Sequence, residues 1–446
     1  MSKKQLNLFD LVMIVVSLVI GMGIFRTPVE VASKAGTPSI FFLAWLVGGV
    51  IALFGALTYA EIGSRYPVTG GYYKVFSYGY HPSLGFAVNC IVLVSNAGST
   101  AVVALIGAEY AGHFFYEGPA PEIFRQSVAI GGIAFFYVIN LLGLRMSSRV
   151  QNILTVVKLL MVLLLLASVF GTHPVMSGAL KAIAPGPGGN VPNFFKALGF
   201  SLIAVSFSYG GYQQTINFGG EVSNPGRIIP RGIAIGIAII ITVYLSLNFV
   251  YTQVIGFEQL KTADSIAAIL MNHLFGPTGG AILRILMFLS VMAYVNVSLM
   301  SNPRVMYAMS GEGILPAAFQ KKTGRHDVIL WSLTVFSAVM IITLLFSSAV
   351  DRIIHYTIFL DSIGFATSAA TIFILRRRKT GEDKGDIYRM KFFPLVPVVF
   401  ILAYLCVATS IILADPSSAM YGALIFVGFL ILYFVVKGKG GVTKTE

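Results

Sequence analysis

Apolar residues run along this chain in long blocks, and the polar positions gather in short connectors between them. A membrane-crossing helix takes about 20 mostly apolar residues. Twelve segments meet that requirement: 9–33, 39–63, 83–112, 126–143, 150–170, 194–222, 230–255, 280–308, 328–347, 353–375, 392–413 and 418–436. None of the connectors is long enough for a soluble domain. The pattern predicts an all-α integral membrane protein of twelve transmembrane helices, a single domain over residues 1–446. Two connectors carry turn chemistry: Tyr66-Pro67-Val68-Thr69-Gly70-Gly71-Tyr72-Tyr73 between spans two and three, and Pro185-Gly186-Pro187-Gly188-Gly189 after span five.

Two spans are interrupted. Gly21-Met22-Gly23 breaks span one, and Ser208-Tyr209-Gly210-Gly211 breaks span six. Each opens a set of five spans, one to five and six to ten, and the two sets start on opposite sides of the membrane. Interrupted helices at matching places in two inverted halves are the strongest sequence pointer to a transporter's binding site. A broken helix at membrane depth exposes backbone groups that lipid cannot satisfy, so they face a cavity. The residues after the break in span one offer free N–H groups and a positive dipole end, which suit a carboxylate. The residues that end the first half of a broken helix offer free carbonyls, which suit an ammonium group. A zwitterionic amino acid presents both charges a short distance apart.

Composition agrees. Of 446 residues 56% are hydrophobic and 11% charged, against about 25% charged in a soluble domain. The net charge of +13 does not point to nucleic acid, because the basic residues lie in short connectors with no basic domain to hold a phosphate backbone. With the N-terminus inside, the inner connectors hold Arg65, Lys74, Arg145, Arg149, Arg227, Arg231, Arg304, the cluster Arg376 to Lys379 and the terminal lysines. That is roughly 22 basic residues against roughly seven outside, so both termini are expected on the cytoplasmic side of the cytoplasmic (plasma) membrane. Lys3 and Lys4 ahead of apolar residues from Phe9 look like the start of a signal peptide, but no clean cleavage site follows, so a retained first helix is expected. Cys90 and Cys406 fall inside apolar blocks and read as small buried hydrophobes, so no disulfide-linked partner subunit is expected. No His/Asp/Glu metal constellation, cofactor motif or nucleophile–base spacing lies inside the spans, which argues against an enzyme.

The motifs Gly21-Met22-Gly23-Ile24-Phe25, Phe207-Ser208-Tyr209-Gly210-Gly211, Glu221-Val222-Ser223-Asn224-Pro225 with Ile229-Pro230-Arg231, and Pro303 to Met309 with Leu315-Pro316 resemble the amino acid–polyamine–organocation superfamily. Within it the chain is most similar to the L-type amino acid transporters and the bacterial serine/threonine and alanine/serine exchangers. The resemblance implies a five-plus-five inverted repeat with discontinuous helices one and six: a first repeat at 1–175, a second at 193–378, and two accessory helices at 391–437. It implies a substrate carboxylate at the backbone of Gly21, Met22, Gly23 and Ile24, and an amino group at carbonyls around Phe207, Ser208, Tyr209, Gly210 and Gly211, with Phe207 as an aromatic lid. Ser95, Asn96, Ala293 and Tyr294 would line the side-chain pocket; Ser99 and Thr100 share the Ser95 stretch. Met22 and Tyr294 are bulkier than the residues usual at those places, which favours a small neutral L-amino acid.

Three charged residues stand deep inside spans, away from the span ends where Glu61, Glu109 and Arg284 sit. Lys158 lies about 13 Å from the inner end of span five, where a charge is unfavourable by about 2.5–3.5 kcal/mol and needs a partner. By the resemblance a lysine here, with Tyr244 nearby, marks members that work without sodium. Its bland alternative is a structural lysine tied to backbone carbonyls. Arg26 follows the first break and Asp361 lies about 13 Å into span ten; together they are expected to form an ion pair that closes above the substrate, with Arg26 facing vestibule water as the alternative. The reading is therefore a sodium-independent amino acid exchanger working by alternating access. Proton-coupled uptake through Lys158 or Asp361, and a non-transporting amino acid sensor, stay open.

Overall fold

A computed structural model describes residues 5–21, 23–116, 120–171, 191–263, 266–324, 326–345, 347–382 and 386–439 of the chain. The expectations for Met22 and for the loop Pro185 to Gly189 lie outside the described residues. Among the described residues the secondary structure is helical, apart from three isolated β-bridges.

The first predicted span divides into α1 (Leu8–Val19) and α2 (Gly23–Ala35), bent by 42°. Asn7 and Asp10 start α1 with a reciprocal cap, each side chain accepting from the other's backbone N–H at 3.0 Å. Then come α3 (Pro38–Arg65), the short α4 (Gly71–Gly79), α5 (Pro82–Gly112), α6 (Glu122–Leu141) and α7 (Leu144–Ala167). Proline in the first turn and a side-chain cap, from Thr37 and His81, open α3 and α5. The second half begins with α8 (Val191–Tyr209), which stops at the predicted glycine pair and gives way to tight 3₁₀ turns over Tyr212–Asn217 and Gly219–Glu221. It continues through α9 (Pro225–Val254), the one-turn α10 (Phe257–Leu260), α11 (Ile266–Ser310), α12 (Leu330–Leu345) and α13 (Ser347–Arg377), and closes with α14 (Leu395–Ala414) and α15 (Pro416–Lys439). Among the described residues ten helices are long and apolar enough to cross a bilayer, eleven if the bent pair α1–α2 is taken as one span. At the ninth predicted place stands α12, apolar but only 16 residues long.

Helix α2 packs on α8, α3 on α9, α5 on α11 and α6 on α12. The main core gathers α1, α3, α8 and α9 around the two breaks, and a second cluster joins α5, α6, α11 and α12. Gly232 and Gly236 of α9 admit Leu11 and Val15 of α1 so closely that a Cβ on either would overlap them. The outer surface is apolar, with Ile153, Leu160 and Leu163 of α7 and Leu402, Leu405 and Leu413 of α14 facing outward, as lipid contact demands. Cys406 shares that exposed face of α14 and Cys90 is partly buried; both are free thiols. The expectation that both are buried thus fails for Cys406, because in a membrane protein the apolar positions of an outer helix face lipid.

One end of the bundle is sealed by charge. Buried Glu61 accepts from Arg65 Nε at 2.7 Å, from Arg376 at 2.7 and 2.8 Å, and from the Met390 N–H at 2.9 Å. Arg304 pairs with Glu221 at 2.5 Å and lies over the Phe218 ring. Helix α4 lies across this end: Tyr73, Lys74 and Ser77 all donate to Glu312. Burial pushes the Glu312 carboxyl up, and those bonds more than offset it, so it titrates below the usual carboxylate range. Leu6, bonded to Glu221, and Tyr433 of α15, packed on Phe86 and His81, bring both ends of the described chain to this same side.

Glu61→Gln leaves Arg65 and Arg376 without their shared carboxylate. It is expected to lower stability by about 3–5 kcal/mol, read as thermal unfolding of the detergent-purified protein. Adding Arg376→Gln is expected to restore part of the loss, and a purely additive double variant would contradict a coupled network.

Candidate functional site

The two helix breaks meet. Val19 and Ile20 end α1, and their carbonyls have no continuing helix to bond. The Lys158 ammonium of α7, fully buried, donates to the Ile20 carbonyl at 2.5 Å. The Tyr244 hydroxyl of α9 lies 3.0 Å from the Val19 carbonyl and 3.0 Å from the Ser208 carbonyl, the end of α8. One hydroxyl therefore bridges the broken ends of both helices. The Gly21 N–H turns back on Val19 at 2.8 Å, and the Gly210 N–H on Phe207 at 3.2 Å. Gly211 has φ of 114° and faces the Leu18 carbonyl, so the second break rests its backbone directly on the first. The starting N–H groups of α2, at Gly23 and Ile24, have no intrahelical acceptor.

Between the breaks lies a cavity of about 200 Å³, below the roughly 300–1,000 Å³ of sites for drug-sized ligands. Gly21, Gly23, Phe207, Ser208, Gly210 and Gly211 of the breaks line it together with Ser95, Asn96, Ser99, Tyr294 and Asp361. The Ser208 hydroxyl and the Gln214 side-chain oxygen are buried in this wall without a protein hydrogen-bond partner, which marks them for a ligand or water. Phe207 is part of this wall and is 56% exposed.

Several expected residues stand elsewhere. The Ile24 side chain is buried in the main core, leaving only its backbone N–H toward the break. Tyr209 turns away to pack its ring on Trp45 and Tyr244. Ala293 is buried in the cluster of α5, α6, α11 and α12, and Thr100 bonds Ser298 there at 2.8 Å. Asn96 reaches Asn302 at 2.7 Å while it lines the cavity. Arg26 is exposed on α2. Asp361 accepts a hydrogen bond from Ser95, and the two expected gate residues are not joined by an ion pair in this conformation. Among the described residues no cluster of His, Cys, Asp and Glu could hold a metal ion.

Sequence reasoning missed Gln213, Gln214, Tyr72, Phe365 and Tyr404, all in the cavity wall. The two glutamines follow the second break within three residues, so tracing span six past Gly211 finds them. Tyr72 lies in the turn-rich connector and Tyr404 on an accessory helix, where only tertiary packing shows their reach.

Comparison with known proteins agrees with this architecture. The family model described as amino acid permease matches residues 6–436. The chain is 27% identical over 443 residues to the serine/threonine exchanger SteT of Bacillus subtilis (strain 168), covering 98% of each. It is 28% identical over 436 residues to the cystine/glutamate transporter of Homo sapiens, covering 95% of this chain and 83% of the other. It is 27% identical over 441 residues to the large neutral amino acids transporter small subunit 2 of Homo sapiens, covering 97% and 80%.

The contact between the breaks can be tested with two glycines. Gly36 and Gly211 both have positive φ, but a Cβ on Gly36 meets open space and one on Gly211 overlaps the Leu18 carbonyl. Gly36→Ala is expected to lower stability by about 1–2 kcal/mol. Gly211→Ala adds about 1–3 kcal/mol of overpacking to that. Thermal unfolding of the two variants side by side checks it; equal losses would mean that the breaks do not bear on each other.

Proposed function

The chain belongs to the amino acid permease family, and from that premise we propose that it is a sodium-independent secondary transporter that exchanges small neutral L-amino acids by alternating access. The observation that carries the reading is the pair of helix breaks tied together by Tyr244 at one small cavity. A zwitterion placed there meets α2's free N–H groups with its carboxylate and the end of α8 with its ammonium. That relatives are an exchanger and transporters of amino acids supports the reading.

Lys158 supplies the coupling argument. A positive charge delivered to the α1 terminus by a side chain does there what a bound cation would do, namely neutralise carbonyls at a helix C-terminus. A structural lysine tied to backbone carbonyls would make this same bond; what favours the coupling reading is that the backbone it ties is the break itself. The halves pack as two inverted five-span repeats, 1–175 and 193–378, with α14 and α15 as accessory helices over 391–437; twelve spans and cytoplasmic termini belong to the same reading, supported by the pairing of counterpart helices. The arginine-rich sealed end is then the cytoplasmic gate, closed, and Phe207 is the open outer lid. Both cysteines lie on helices, which supports a chain that works without a disulfide-linked partner.

Counterflow in proteoliposomes tests the substrate. Labelled serine or alanine is expected to enter vesicles preloaded with alanine, serine, threonine or glycine and not empty ones, while amino acid amides and decarboxylated amines compete poorly. Polyamines competing better than serine would misplace the carboxylate site, entry into empty vesicles driven by a pH gradient would replace exchange by proton symport, and binding with no flux would make the protein a sensor.

Replacing external sodium by choline is expected to leave exchange unchanged. Lys158→Ala is expected to abolish exchange while the protein still purifies as a folded species. A strict sodium requirement in the native protein would sink the coupling argument.

A further inference from the structure

Asp361 of α13 is the one formally charged side chain among the described residues that line the cavity. It accepts from the Ser95 hydroxyl, and among the described residues it has no ion-pair partner. Arg26, the nearest candidate by sequence, is exposed and outside the lining. Lys158 is bonded to Ile20 and does not line the cavity either. Three tyrosines surround the carboxylate within electrostatic reach, Tyr72 from α4, Tyr294 from α11 and Tyr404 from α14, and all three line the same wall. Phe365, one turn along α13, stacks on Tyr404 with ring centroids 4.7 Å apart.

A carboxylate at this depth needs a positive charge or a proton. A neutral amino acid supplies none, because its two charges are already matched at the breaks. A second cation, on the substrate's side chain, would complete the balance. The surroundings suit one: an ammonium donates a charge-assisted hydrogen bond to the carboxylate and is attracted by the faces of tyrosine rings. The cavity is small, so the side chain that carries the cation is short.

We propose that Asp361 reads the substrate's side chain, and that the cavity takes short diamino acids such as 2,4-diaminobutyrate and ornithine in preference to neutral side chains of the same size. The proposal rests on the amino acid reading given above and widens its substrate class. Smaller neutral amino acids still fit; their serine and threonine members offer a hydroxyl to the same acceptor.

The test is competition against labelled alanine in proteoliposomes of the full chain, with 2,4-diaminobutyrate and norvaline as an isosteric pair that differs by one charge. Diaminobutyrate is expected to compete about ten- to a hundredfold better than norvaline, as a hydrogen bond to a charged group worth about 1.5–3 kcal/mol would give. Asp361→Asn is expected to erase that difference, read as the ratio of the two competitors' potencies against whatever alanine exchange the variant retains, and Ser95→Ala to shrink it. The comparison on the native protein needs no variant, so a poorly folding Asp361→Asn leaves the proposal testable. Norvaline competing as well as diaminobutyrate would overturn it while alanine exchange, and with it the proposed function, stands. A preference that survives in Asp361→Asn would overturn it by placing the cation elsewhere. Equal losses for both ligands in Asp361→Asn and Arg26→Gln would make the two residues a gate pair, and a loss of pH-driven uptake alone would make Asp361 a proton carrier; each overturns it. Absence of any amino acid exchange in the native protein would remove the proposed function first, and this proposal with it.

Discussion

A peptide carbonyl inside a bilayer must find a donor, and here that requirement falls hardest on Val19, Ile20, Phe207 and Ser208, the last turns of two helices that stop halfway. Lys158 answers one, Tyr244 answers two, and Gly210 turns back to answer the fourth. Much of the core arrangement follows from this. Helices α7 and α9 must lie against α1 to deliver their side chains. Helix α9 can do so because Gly232 and Gly236 remove the side chains that would hold it off. The 3₁₀ turns after α8 must lie on α1 because Gly211 sets its backbone on the Leu18 carbonyl. The cavity is the space that this arrangement cannot fill.

The two ends of the bundle differ in kind. Toward the chain termini the seal is made of paired charges, with Glu61 shared between two arginines and a backbone N–H, and α4 laid across Glu312. Toward Phe207 the rim is an exposed ring and an exposed arginine, with no comparable seal among the described contacts. Ion pairs buried together are lost only together, so such a seal favours two discrete positions over a graded opening. An apolar lid has no such threshold.

Much of the fold was legible because membrane helices announce themselves by length and apolarity, and because glycine clusters mark where they break. All twelve predicted places hold helix, and both breaks fall where Gly21-Met22-Gly23 and Gly210-Gly211 put them. The depth of Lys158 was legible for the same reason; its acceptor was not, since a backbone carbonyl has no letter in a sequence. Side-chain direction was the weaker inference. Ile24 and Tyr209 lie at the breaks, where backbone contact is the expectation, and their side chains pack in the core, which the sequence does not show. Ala293 precedes Tyr294, but its side chain is buried in the cluster of α5, α6, α11 and α12. Arg26 and Asp361 were paired by charge and depth, and in this conformation Asp361 accepts from the Ser95 hydroxyl. Tyr404 could not be read at all, because nothing in an apolar helix says that it borders a site two spans away.

That border has a consequence. Tyr404 faces the cavity while Cys406 and Leu405, on the same helix, face outward. One helix, about 10–12 Å across with its side chains, is all that stands at this point between the cavity and the acyl chains. The wall that shapes selectivity is therefore also a lipid-facing surface outside the two halves that carry the breaks. Substitutions there can drift under the weak constraint of apolar contact, shift Tyr404 by a fraction of an ångström, and retune what the cavity admits without touching the parts that move. Related chains could diverge in diet while sharing one engine.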